Sequence, residues 1–277
     1  MKKVIVPIDF SEHSEYALKA AALLAKRNTI EIVVLHMLDI NVSSLSESAS
    51  DIQAQSVFYL KLAEKNFKTF LKKDYLEGLK VTPIIKHYLS FKEINEIAEE
   101  VNADLIIMSS HGATGMKELF VGSNTEKVVR FSDIPVLILK EELFDLNFED
   151  VVYACDFSEE SIPAYKKALK LMEFFKAELH LLYVNTPNDK FKASSEMQDM
   201  AVHFLTKANQ DISKLKEITF ECESTIEKGI LKFSNLIGAD LIAISTNGRK
   251  GLSHIFKGSV AENVSNHSLL PVITIKI

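Results

Sequence analysis

The sequence predicts an α/β protein made of two tandem, doubly wound domains, each built on a five-stranded parallel sheet. Three observations carry this. The chain is written twice. Its apolar runs are short and nearly continuous in Val, Ile and Leu, the signature of strands covered on both faces. Between those runs lie helical patterns, so strand and helix alternate as right-handed crossovers require.

The duplication is read directly. VIVPIDFSEHSEYALKAA at the start is echoed by VVYACDFSEESIPAYKKA from Val151, so that Asp9, Phe10 and Ser11 recur as Asp156, Phe157 and Ser158. EIVVLHMLD at Glu31 is echoed by ELHLLYVNT at Glu178, ADLIIMSSHG at Ala103 by ADLIAISTNG at Ala239, and IPVLILK at Ile134 by LPVITIK at Leu270. Units of this length are whole domains, too long for a solenoid repeat. They are expected over residues 1–142 and 148–277, with the boundary in EELFDLNFED, residues 141–150. The offset between the units falls from 147 to 136 residues, so the first carries about eleven extra residues between Met37 and Asp104. The Ser-rich stretch LDINVSSLSESASDIQAQS, residues 38–56, reads as the loop that holds them.

In the first unit the strands are expected near 2–8, 31–38, 79–87, 104–109 and 135–139. After the first strand, Ser11 with Glu12 and Glu15 reads as a helix start. Ala17, Ala20, Ala21 and Leu24 then repeat at the spacing of one buried helical face. Asp51 to Tyr75 reads as a covering amphipathic helix with Val57, Leu60, Phe67, Phe70 and Leu71 inward, and Glu93 to Glu100 as a solvated helix face. A further helix is expected over Asn124 to Phe131.

Composition bounds the function. The chain has 277 residues, 47% hydrophobic and 25% charged, the profile of a soluble globular protein. A net charge of −6 offers no field for nucleic acid. No apolar run is long enough to span a bilayer, and Val4 to Ile8 reads as a buried strand, not a signal peptide. Two cysteines, Cys155 and Cys222, make no disulfide framework and suit a reducing cytoplasm. None of the eight histidines shows a metal-ligand spacing, and no metal site is expected. His36 and His180 read as structural strand residues. Cys155 reads as a small buried residue, with a redox role as the alternative.

The chemistry-bearing feature is a loop that also occurs twice. HGATGMKELFVGSNTEKVV, residues 111–129, returns as NGRKGLSHIFKGSVAENVS, residues 247–265. Such a loop leaves a strand and ends at a helix start. It gathers free backbone N–H groups at the positive end of a helix, which is a phosphate site in physical terms. Glycines there let the backbone approach phosphate oxygens. Taken singly, such glycines make turns; recurrence at matching positions favours the phosphate reading. It is neither a P-loop, for want of GxxxxGK[ST], nor a dinucleotide fingerprint, for want of GxGxxG after the first strand.

With these motifs the sequence resembles the universal stress proteins in their tandem form, over nearly its whole length. The family signature is Gly-x-x-Gly, nine residues, then Gly-Ser/Thr. Here it stands as Ser109-Ser110-His111-Gly112, nine residues, Gly122-Ser123, and as Ser245-Thr246-Asn247-Gly248, nine residues, Gly258-Ser259. The resemblance implies a Rossmann-like nucleotide-binding α/β fold and ATP as ligand, with magnesium where the nucleotide carries it. It implies that the loop after strand one holds adenosine, the end of strand two adenine, and the glycine loop ribose and phosphates. Carried over, Pro7, Ile8, Asp9, Met37, Met108, Ser109, His111, Gly112, Gly122, Ser123 and Asn124 form one site. Asp156, Val184, Ser245, Gly248, Gly258, Ser259 and Val260 form the other. The first unit matches better, with Pro7 and His111 where the second has Ala154 and Asn247. Both units depart from the family at the first signature glycine, where Ser109 and Ser245 stand; a φ above zero there would strain serine.

Three readings stay open: a nucleotide-binding regulatory module of the stress response, a slow ATPase, and a scaffold that binds no nucleotide. No residue beyond Asp9 and Asp156 presents itself as a catalytic base. The resemblance further implies domains paired through their last strands, Val136 to Leu139 and Val272 to Ile275, and leaves a homodimer open.

Overall fold

Strand β1, Lys3–Ile8, is the axis of the first unit. Its central residues Val4, Ile5 and Val6 are fully enclosed, which is why the run carries no alternation of polar residues. β2, Glu31–Leu38, lies parallel to it on one side and β4, Leu105–Ser109, parallel on the other. β3, Val81–His87, extends the sheet beyond β2, and β5 spans Val136–Leu139. The computed structural model describes residues 1–38, 49–87, 92–110, 123–187, 191–246 and 259–277.

Helix α1, Glu12–Arg27, crosses back over β1 and β4. Ser11 caps it, its hydroxyl accepting from the Ser14 N–H, with Glu12 and Glu15 in the first turn and Lys26 and Arg27 in the last, as the helix dipole favours. Ala17, Ala20, Ala21 and Leu24 are all buried, as their spacing predicts.

Helix α2 runs Ala49–Phe70, so it starts inside the serine-rich stretch that composition alone makes a loop. Its inward face is also shorter than the spacing suggests. Ala63, Phe67 and Phe70 are buried, whereas Val57 and Leu60 are exposed. The buried half is the part that meets Phe10 and His36, through ring contacts of Phe67 and Phe70. Helix α3, Lys92–Glu100, buries Ile94, Ile97 and Ala98 and turns Glu96, Glu99 and Glu100 to solvent. Helix α4 is Ser123–Phe131.

The second unit repeats the plan. β6, Asp150–Ala154, is flanked by β7, Glu178–Asn185, and β9, Leu241–Thr246, with β8, Thr219–Cys222, beyond β7 and β10, Val272–Lys276, beyond β9. All four pairings are parallel. Helices α5, Ile162–Phe175, α6, Ser194–Lys207, α7, Ile226–Ile237, and α8, Ser259–His267, cover the faces. Residues 135–138 pack with this unit, where β5 runs antiparallel to β10, with Leu137 opposite Ile273. In each unit the strand order reverses between the first and fourth strands, β1 and β4 or β6 and β9. In doubly wound sheets, ligands bind outside the carboxyl ends of the strands at such a switch.

Among the described residues no helix is long and apolar enough to cross a membrane.

Candidate nucleotide site

The carboxyl ends of β1, β2 and β4 place six of the expected residues at one edge of the first unit's sheet. Pro7 and Ile8 end β1 and Asp9 follows it; Met37 lies at the end of β2; Met108 and Ser109 end β4. Asn124 is in the first turn of α4. That turn is tied to the sheet: the buried Thr125 hydroxyl donates to the Ser109 carbonyl at 2.9 Å. The N-terminus of α4, whose first N–H groups have no partner within the helix, is thereby held at the end of β4. His111, Gly112 and Gly122 lie outside the described residues, and so do Gly248 and Gly258; of Ser123 and Ser259 only the backbone is described.

The Asp-Phe-Ser motif shows how the site's acid is aimed. Phe10 takes a left-handed backbone, φ 64°, and Phe157 repeats it at 55°. A bulky residue pays about 1–3 kcal/mol for such a conformation, so the surroundings must impose it. They do so through the rings. Phe10 packs on His36 at 4.4 Å between centroids, and on Phe67 and Phe70. Phe157 stacks on Tyr183 at 5.7 Å and meets Phe204 and Phe220. With the phenylalanine turned inward, Asp9 is left exposed and Asp156 half-buried at the strand end. Each carboxylate accepts from the N–H and hydroxyl of the serine two residues on, Ser11 or Ser158, which fixes its direction. Sequence reasoning assigned Asp9 and Asp156 but not the phenylalanines, whose recurrence beside both acids was the available signal.

His36 supports this arrangement from below. Its Nδ1 donates to the Ile8 carbonyl at 2.9 Å. Burial lowers its pKa, opposed by that hydrogen bond and by the Asp9 charge.

The serines that replace the first signature glycine are accommodated without strain. Ser109 and Ser245 are strand residues, and neither is among those with positive φ. Both are buried, and the Ser245 hydroxyl meets no hydrogen-bond partner among the described residues.

The second unit places its residues the same way, with two differences. Asp156 follows β6, Val184 lies in β7, Ser245 in β9 and Val260 in the first turn of α8. Val184 is pressed beneath α7, against Gly229, where an added Cβ would fall 2.6 Å from its Cγ1. Ala261 stands where the first unit has Thr125, so the tie between helix and strand end is absent there. Cys155, beside Asp156, is fully enclosed, and burial pushes its thiol up to about 12, against the redox alternative. The expected reading as a small buried residue stands.

A doubly wound α/β unit with a switch in strand order, written twice in one chain, defines a tandem protein of the Rossmann-like α/β class. The model of the universal stress protein family matches residues 1–140 and again 147–276, and the chain belongs to that family. A universal stress protein of Methanocaldococcus jannaschii is 34% identical over 155 residues, 51% of this chain and 96% of that one. A putative universal stress protein of Staphylococcus saprophyticus is 29% identical over 166 residues, 57% of this chain and 95% of that one. The crystal structure of a universal stress protein from Archaeoglobus fulgidus aligns with a TM-score of 0.67 and 25% identity, covering 99% of this chain and 98% of that one. A putative universal stress protein from Pseudomonas aeruginosa shares the fold, with a TM-score of 0.65 at 19% identity over 100% of this chain and 93% of that one.

Proposed function

We propose that the chain is an adenine-nucleotide-binding regulatory module, with ATP as ligand and no turnover of its own. The observation that carries this is the convergence of Asp9, Met37, Ser109 and the N-terminus of α4 at the strand switch of the first unit. An aimed carboxylate suits the polar edge of a nucleoside. A half-buried methionine suits a base. A helix N-terminus fixed to the sheet suits phosphate. Membership of the family supports the same ligand through the resemblance of the glycine loops. The unstrained setting of Ser109 and Ser245 removes the main objection to it. Asp9 and Asp156 are each oriented by a serine, which fits a binding role better than that of a general base.

Native mass spectrometry of the full chain with Mg-ATP tests this. Added mass of one or two nucleotides is expected, reduced by one on Gly122→Val, with the melting transition kept. A bare mass at millimolar ATP, with a normal melting transition, overturns it and leaves a scaffold. ATP turnover that Asp9→Asn abolishes while binding persists would make the protein an enzyme.

A further inference from the structure

We propose that Asp150, Glu178 and His180, at the amino-terminal edge of the second unit's sheet, form a site for a divalent transition-metal cation. The three side chains offer one nitrogen and two carboxylate oxygens, all within 4.8 Å of one another. Asp150 and Glu178 are register partners on neighbouring strands, and His180, two residues along β7, lies on the same face as Glu178. His180 Nε2 donates to Asp150 Oδ1 at 2.6 Å.

The duplicated half of the chain shows what this place requires. In the first unit the corresponding register partners are Lys3 and Glu31. There Glu31 is neutralised by Lys3 at 3.6 Å and Lys80 at 2.9 Å, and accepts from the Thr82 hydroxyl. The backbone around both positions is held alike. Asp104 accepts from the N–H groups of Lys2 and Lys3, and Asp240 from those of Glu149 and Asp150. The second unit therefore keeps the frame and the glutamate, but puts an acid where the first has an ammonium. Among the described residues no lysine or arginine pairs with Asp150 or Glu178, and Glu178 has no side-chain hydrogen bond or ion pair. Two carboxylates and an imidazole are thus gathered in register at the place where the first unit sets the Lys3 ammonium against Glu31.

The donor set indicates which cation. Imidazole nitrogen with carboxylate oxygen suits zinc and its first-row neighbours, whereas magnesium and calcium take oxygen alone. Metal–ligand distances of about 2.0–2.2 Å put tetrahedral ligand atoms roughly 3.3–3.6 Å apart. The present spread reaches that by side-chain rotation, with His180 taking its Nδ1–H tautomer so that the Nε2 lone pair, in place of the Nε2 proton, meets the cation. Water completes the coordination from the exposed side. No residue of this cluster belongs to the nucleotide site, which lies at the opposite, carboxyl ends of the strands.

Isothermal titration of the full chain, stripped of metal, with zinc chloride is the test. One zinc per chain is expected. Glu178→Gln and His180→Ala should each weaken it at least roughly tenfold, the loss seen even when an outer partner of a ligand is removed. Asp150→Lys should abolish binding and keep the melting transition, because it recreates the Lys3–Glu31 pair. A wild-type chain that takes up no zinc overturns the proposal and leaves a plain His180–Asp150 hydrogen bond. Zinc uptake unchanged by all three substitutions also overturns it, placing the metal elsewhere, as at the exposed Cys222.

Discussion

The hydroxyl of Thr125, in the first turn of α4, donates to the carbonyl of Ser109 at the last position of β4, 2.9 Å away, and both residues are buried. This bond joins the helix that begins at the glycine loop to the strand that ends before it. Thr125→Val keeps the shape and removes the donor. It should destabilise the first unit by about 0.5–1.5 kcal/mol, read from the urea midpoint, the net worth of one intramolecular hydrogen bond. The same variant should weaken any nucleotide bound by the first unit and leave the second unaffected.

Phe10 and Phe157 share a left-handed backbone but not the same burial: Phe157 is 4% exposed, whereas Phe10 is partly exposed. Phe157→Ala should therefore cost about 3–5 kcal/mol, the range for an enclosed phenylalanine. Phe10→Ala should cost less. Equal losses by denaturant titration would mean that the backbone conformation, not ring packing, dominates at both sites.

Gly229 sits in α7 directly above Val184. Alanine is intrinsically favoured over glycine in a helix by about 1 kcal/mol. Its Cβ would nonetheless lie 2.6 Å and 2.8 Å from the two Val184 methyls. Overpacking of that kind costs about 1–3 kcal/mol, so Gly229→Ala should give no gain and a net loss. Adding Val184→Ala should recover stability beyond the sum of the single changes, as residues in contact couple.

His36 predicts a pH dependence. Burial holds its imidazole below the ordinary 6.5 in the folded chain. The unfolded chain therefore takes up the proton first as pH falls. Stability contributed by the neutral form is present above 6.5 and is lost from there down through the folded value. His36→Gln should flatten the melting temperature between pH 7.5 and pH 5.5 relative to wild type. An identical slope in both proteins would assign the dependence to other groups.

Much of this protein was determined by its sequence alone. The two-fold repeat, the continuous apolar runs of β1 and β6, the buried face of α1 and the cap at Ser11 are all local patterns. Each follows from residues a few positions apart, which secondary-structure periodicity and capping chemistry act on directly. Asp9, Met37 and Ser109 were assigned to one site by the resemblance to the universal stress proteins, and the strands that carry them end at the same edge of the sheet. Tertiary structure decided the rest. The start of α2 at Ala49 and the exposure of Val57 and Leu60 depend on how far the sheet and Phe10 reach, which spacing along one helix does not encode. The unstrained serines depend on where β4 and β9 end. The left-handed phenylalanines depend on aromatic partners as distant as Phe70 and Phe220. The meeting of Asp150, Glu178 and His180 depends on the register of two strands separated by a helix. Charge and coordination act through space, and only folding brings those carboxylates and that imidazole within reach of one ion.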